Sequence, residues 1–198
     1  MENSNELALL WRWYDNEPNL RCAVFTGVDD SAFGPGETYG TSVGQVVHVE
    51  SIVKGGLPAG SRFGLLNRDG KKPIVVACDG QVHGAGMEAV LNGDIVFAAP
   101  NTTFQLPDPR KGSAAISGLL LPRAFSLLGS HRALDLMLSG RMLTAEDAVS
   151  WGLVKEVVRG DGLLERAVAE AESIASMNPD RVVIARKQGR AVRLVALL

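Results

Sequence analysis

The sequence predicts an α/β domain of stacked strand–helix crossover units. Apolar runs of strand length recur at 20–26, 73–78 and 95–99, with amphipathic helical patterns between and after them. Glycine and proline clusters punctuate the boundaries. Such alternation gives a largely parallel sheet with helices packed against it.

Residues 6–14 read as the first helix, because Leu7, Leu10, Trp11 and Tyr14 fall at helical spacing and Pro18 stops the pattern. The run 20–26 is apolar, rich in strand formers and closed by Gly27, which suits a buried strand. A loop containing Gly34, Pro35, Gly36 and Gly40 comes after it. Residues 42–53 carry a weak helical pattern crowded by Val43, Val46, Val47 and Val49, and glycines break it at 55–60. The run 73–78 is a second buried strand, 80–86 a glycine-rich turn, and 85–92 a short helix. Strands at 95–99 and 103–106 come next, and the strand–helix–strand unit so formed should cross over right-handed. An amphipathic helix at 131–139 ends at Gly140. Thr144, with Asp147 three residues on, opens another helix that Gly152 closes. A last strand is expected at 153–158 and a long helix at 163–177, ahead of Pro179. A chain of 198 residues suits a single domain, with a core of about 20–160 and a helical C-terminal part at 161–198.

The composition narrows the function classes. Hydrophobic residues make up 46% and charged residues 21%, as in ordinary globular proteins. A net charge of −2 supplies no global field for nucleic acid, so an anionic ligand must be held by local groups. No apolar run approaches the ~20 residues that span a bilayer, and the first ten residues lack a basic secretory leader. The expectation is therefore a soluble intracellular protein, with no residue pattern that chooses among mitochondrion, peroxisome and cytoplasm. Cys22 and Cys78 lie inside apolar runs and read as small core residues in a reduced compartment. Together with His48, His83 and His131 they make no metal-ligand cluster.

Four features bear on chemistry. The turn from Asp79 to Glu88 (DGQVHGAGME) joins a strand to a helix through Gly80, Gly84 and Gly86. Unpaired N–H groups at a helix start can hold a phosphate or an oxyanion; the same glycines could equally serve tight packing. Glu88 lies nearly one turn after Ala85, beside whatever those N–H groups hold, or else it is a solvated partner of the helix dipole. Asp108 sits between Pro107 and Pro109, which fix its backbone either for chemistry or as a rigid surface turn. Finally, Gly36 in the loop from Ala32 to Thr38 lets the chain turn and present the N–H of Glu37, unless the loop is merely flexible.

The ordered set of motifs resembles the crotonase superfamily, the enoyl-CoA hydratase/isomerase family, over nearly the whole chain. Thr26-Gly27 followed by Ala32-Phe33-Gly34-Pro35-Gly36 matches its first motif, and Lys72-Pro73-Ile74-Val75-Val76-Ala77 through Glu88 its central one. Asp94-Ile95, Phe104 to Asp108, Leu121-Pro122-Arg123, Leu138-Ser139-Gly140, Thr144-Ala145-Glu146-Asp147-Ala148 and Trp151-Gly152-Leu153-Val154 keep the family's order. The resemblance implies a crotonase-like fold of stacked ββα units with C-terminal helices, assembled as homotrimers or hexamers. It implies an acyl-CoA thioester substrate, with coenzyme A part of the substrate and no separate cofactor. The backbone N–H groups of Glu37 and Ala85 would polarise the thioester carbonyl, Glu88 and Asp108 would handle water and proton, and Ala32, Phe33, Gly36, Gly84 and Gly86 would line the substrate.

This chain departs from that pattern in several places. Ala85 replaces the middle glycine of a triplet, Asp108 replaces a glutamate, and Glu37 stands where a small or apolar residue is usual. The family's opening strand and last helices are expected to be missing, and the C-terminal segment carries Arg181, Arg186, Lys187, Arg190 and Arg193. Hydration of a 2-enoyl-CoA is the first functional expectation. Isomerisation of an enoyl-CoA is the alternative within the family, and a silent acyl-CoA binder or truncated remnant the alternative outside enzymes. The glycine spacing is not GxGxxG and no GxSxG elbow is present, which argues against a dinucleotide-dependent dehydrogenase and a serine hydrolase.

Overall fold

The computed structural model describes residues 2–27, 33, 64, 65, 68, 70–106 and 120–195. Four strands pair in parallel in the order β1 (Ala23–Thr26), β2 (Ile74–Cys78), β4 (Ile95–Ala98) and β7 (Glu156–Val157). Val75 lies between Val24 and Ile95, so β2 is central, and every residue of β2 is buried. An unbroken apolar run is what a strand covered on both faces requires.

The pleat divides these side chains between two cores. Ile74, Val76, Cys78, Val96 and Ala98 join the main core with Trp11 and Tyr14 of α1 (Glu2–Asn16). That core also takes Met87, Val90 and Leu91 of α2 (Ala85–Asn92). Val75, Ala77 and Phe97 point the other way, against Ala167 and Ala171 of α6 (Leu163–Ala175). Small alanines on α6 let the helix lie close to the sheet, where burial contributes about 25 cal/mol per Å² of apolar surface.

A second sheet holds β3 (Gln81–His83), β5 (Thr103–Gln105) and β6 (Leu143–Thr144), with β3–β5 parallel and β5–β6 antiparallel. Val82, Phe104 and Leu143 are paired across it and fully buried. The chain leaves β2 at Cys78 and enters β3 at Gln81, then runs into α2. It repeats the pattern with β4 and β5, so two strands in different sheets form one unit. This is the expected crotonase-like ββα stacking. The strand β3 lies inside the stretch expected as one glycine-rich turn, because main-chain pairing with β5 extends three residues of which Val82 is the one apolar.

Two further helices, α3 (Leu120–Leu128) and α4 (Ser130–Ser139), pack on each other and α3 packs on α2. The helix α3 was not expected; Pro122 sits in its first turn, where a missing N–H costs nothing. Thr144 caps α5 (Ala145–Ser150) as expected, its Oγ1 accepting from the Asp147 N–H at 3.1 Å. The strand expected at 153–158 shortens to β7. The weak helix at 42–53 lies outside the described residues. Cys78 is buried and Cys22 half-buried; both are free, and burial pushes the Cys22 thiol up to about 11. Among the described residues no helix is long and apolar enough to cross a membrane.

The basic C-terminal segment is a helix, α7 (Pro179–Val195), and Asp94 holds it. The Asp94 carboxylate accepts from Arg186 Nε at 2.8 Å, Arg190 Nη2 at 3.1 Å and the Ile74 N–H at 2.9 Å. Both guanidiniums are largely buried, with side chains 5% and 13% exposed. Asp94→Asn leaves them facing a neutral group. We expect a loss of about 3 kcal/mol in urea unfolding, at the low end for a broken buried pair because Asp94 keeps 20% of its side chain exposed.

Candidate active site

The helix α2 begins where the second sheet ends. Gly84 forms its N-cap with φ 47° and ψ −109°, a conformation that L side chains rarely adopt. The first intrahelical bond runs from the Glu88 N–H to the Gly84 carbonyl at 3.2 Å. The N–H groups of Ala85, Gly86 and Met87 therefore precede any intrahelical acceptor, and glycine offers no side chain to cap them. They are donors at the positive end of a helix dipole. Gly86 and Met87 are buried, so the helix start is enclosed.

Glu88 lies in this first turn and is 2% exposed, the one buried acid among the described residues. Its Oε1 accepts the Leu65 N–H at 3.1 Å, and its own carbonyl accepts Asn92 Nδ2 at 2.8 Å. A solvated surface acid is thus excluded. Burying a carboxylate is costly, so hydrogen bonds and the helix start must offset it.

The parallel register places His83 opposite Gln105, so the start of α2 and the end of β5 lie at the same end of the sheet. Gln105 is anchored there, its Nε2 donating to the Gly140 carbonyl at 2.6 Å. Asp108, Glu37, Ala32 and Gly36 lie outside the described residues, as do the loops that carry them. Of the expected site residues, the structure gathers Gly84, Ala85, Gly86 and Glu88 at one helix start. Phe33 is 2% exposed and packs edge-on against Phe25 at 5.7 Å, and Phe25 meets Trp11 at 6.0 Å. His83 is half-buried on β3.

Sequence reasoning missed Leu65 and Arg68. Leu65 acts through its backbone, which no residue type announces. Arg68 is one of four cations at 62–72, a stretch without period, but it is buried, 8% exposed, with its Nη2 2.6 Å from Asp15 Oδ1.

Comparison with known proteins agrees with this fold. The sequence profile of enoyl-CoA hydratase/isomerase matches residues 2–193. A mevalonyl-coenzyme A hydratase of Beauveria bassiana is 37% identical over 187 residues, covering 91% of this chain and 66% of that protein. An (E)-benzylidenesuccinyl-CoA hydratase of Thauera aromatica is 30% identical over 189 residues, covering 90% and 68%. A solved enoyl-CoA hydratase/isomerase from Pseudoalteromonas atlantica superposes with a TM-score of 0.77 at 30% identity, covering 99% of this chain and 75% of that one. The chain thus spans about two thirds of the length of the curated relatives it matches.

Gly84→Ala tests the helix start. A Cβ at φ 47° forces strain or a shift of α2, so we expect a loss of about 1–3 kcal/mol, read by urea unfolding.

Proposed function

The chain belongs to the enoyl-CoA hydratase/isomerase family, and from that premise we propose that it hydrates the 2,3 double bond of an enoyl-CoA thioester, or removes water in the reverse direction. The observation that carries this reading is Glu88: an acid 2% exposed in the first turn of α2, directly beyond the Ala85 N–H. The hydratases among the relatives support the same class of reaction.

The thioester oxygen accepts the N–H groups of Ala85 and Glu37. Glu88 takes a proton from water, and the resulting hydroxyl forms the new bond at C3. The double-bond electrons move through C2 to the thioester oxygen, where the enolate charge gathers. Asp108 then supplies the proton to C2, the carbonyl re-forms, and the product is a 3-hydroxyacyl-CoA. Preorganised N–H donors at such an oxygen contribute on the order of 3–4 kcal/mol each, and α2 adds its dipole on the same side. The Leu65 N–H favours the charged form of Glu88, the form a base requires. Addition of water is redox-neutral, and coenzyme A arrives with the substrate.

Identity of 37% to a mevalonyl-CoA hydratase makes mevalonyl-CoA the first branched substrate to try beside crotonyl-CoA. The reaction is followed as loss or gain of enoyl-thioester absorbance with wild-type and Glu88→Gln protein. We expect Glu88→Gln to lose roughly 100- to 10,000-fold in rate, the range for a positioned acid or base, while unfolding cooperatively. Undiminished hydration by the variant would remove Glu88 from the mechanism. Conversion of a 3-enoyl-CoA to the 2-enoyl isomer without hydration would assign the isomerase branch.

A further inference from the structure

We propose, resting on the reading of Glu88 above, that Gly64, Leu65 and Arg68 form a positioning device that fixes the Glu88 carboxylate in its charged form, with α1 as its support. Leu65 is fully buried, and its N–H meets Glu88 Oε1 at 3.1 Å. Its carbonyl accepts the Arg68 N–H, also at 3.1 Å. One residue therefore joins the carboxylate to Arg68.

Both flanks of Leu65 are tied to α1. Gly64 has φ +67°, and a Cβ there would lie 2.9 Å from the Ala8 backbone nitrogen and 3.0 Å from its Cα. Backbone of a packed helix does not yield, so only glycine brings the chain this close. On the other flank the Arg68 guanidinium donates to Asp15 Oδ1 at 2.6 Å and to the Lys72 carbonyl at 3.0 Å. It also lies 5.5 Å from the ring centroids of both Trp11 and Tyr14. Burial pushes the Arg68 pKa down, and Asp15 pulls it back up. A cation buried and held by an acid, a carbonyl and two rings is a rigid anchor, and what it anchors is the donor to Glu88.

Titratable groups also sit on the elements packed around α2. Asp79 precedes β3 and His83 ends it, while Arg123 lies on α3. Arg190 donates to the Asn92 carbonyl at the far end of α2, and Arg123 acts on Arg190. On α1, Glu6 and Arg12 are exposed, and Asp15 is taken up by Arg68. Asp108 lies outside the described residues. The Leu65 N–H is thus a fixed neutral donor whose removal changes no formal charge.

Each backbone N–H that donates to a carboxylate lowers its pKa, by roughly one unit. Losing a bond made to the charged form raises the pKa. The test replaces Leu65 with its α-hydroxy acid analogue, which turns the 64–65 amide into an ester, puts an oxygen in place of the N–H and leaves the formal charge unchanged. The Glu88 carboxyl is titrated by carbon-13 NMR, assigned by difference from Glu88→Gln, so the readout does not depend on turnover. We expect an upward shift of about one pH unit, and a shift in the same direction for Arg68→Gln. If the chain hydrates crotonyl-CoA, the acid limb of kcat/KM should move up with it. A Glu88 titration unchanged from wild type in the ester-containing protein overturns the proposal, because the donor is then gone without effect. A shifted titration in a protein that hydrates no CoA thioester keeps the positioning device and rejects the hydratase reading.

Discussion

A buried carboxylate raises a demand that the neighbouring structure has to meet, and Glu88 at the head of α2 is where this fold meets it. The side chain is 2% exposed, so water cannot solvate its charge. The Leu65 N–H donates to the carboxylate in place of water, and the first turn of α2 puts it at the positive end of the helix dipole. The arrangement depends on short-range geometry, and the elements around it are rigid: a fully buried β2 below, β3 immediately before, and α1 behind the Gly64 approach. A flexible surround would let water in and solvate the charge, at the loss of a defined position.

The two-sheet construction explains how a helix start and the end of a distant strand meet. Strands β2 and β4 pair in one sheet, and their continuations β3 and β5 pair in the other with Val82 opposite Phe104. The offset between the paired strands is thereby kept from the first sheet to the second. The start of α2 and the end of β5 consequently lie at the same end of the second sheet. Asp94 closes the opposite end, where one carboxylate joins the Ile74 N–H of β2 to Arg186 and Arg190 of α7. The helix that carries Glu88 is held at both ends by charge, with different partners.

Much of this was legible in the sequence where side-chain pattern and structure share a period. The run Ile74–Cys78 is apolar throughout because both its faces are covered, and Thr144 announces a cap through its hydroxyl. The strand β3 was not legible, since Gln81 and His83 flank a single valine and the strand exists through pairing rather than pattern. Pro122 conceals α3 by resembling a stop when it stands in a first turn. Glu88 could be picked out as a candidate from the glycine-rich approach and its spacing from Ala85. Its burial and its Leu65 donor could not, because a backbone N–H has no letter. Phe33 sits in a family motif, and its ring packs against Phe25 in the aromatic row with Trp11, a contact the motif does not spell out.

The most direct test of the central claim is the fate of oxygen in labelled water. The protein is incubated with a 2-enoyl-CoA in oxygen-18 water, and the product is weighed by mass spectrometry. Hydration at C3 predicts a 3-hydroxyacyl-CoA that carries one labelled oxygen in its acyl chain. Recovery of unlabelled substrate, or of a double-bond isomer with no added oxygen, from a cooperatively folded chain would contradict it.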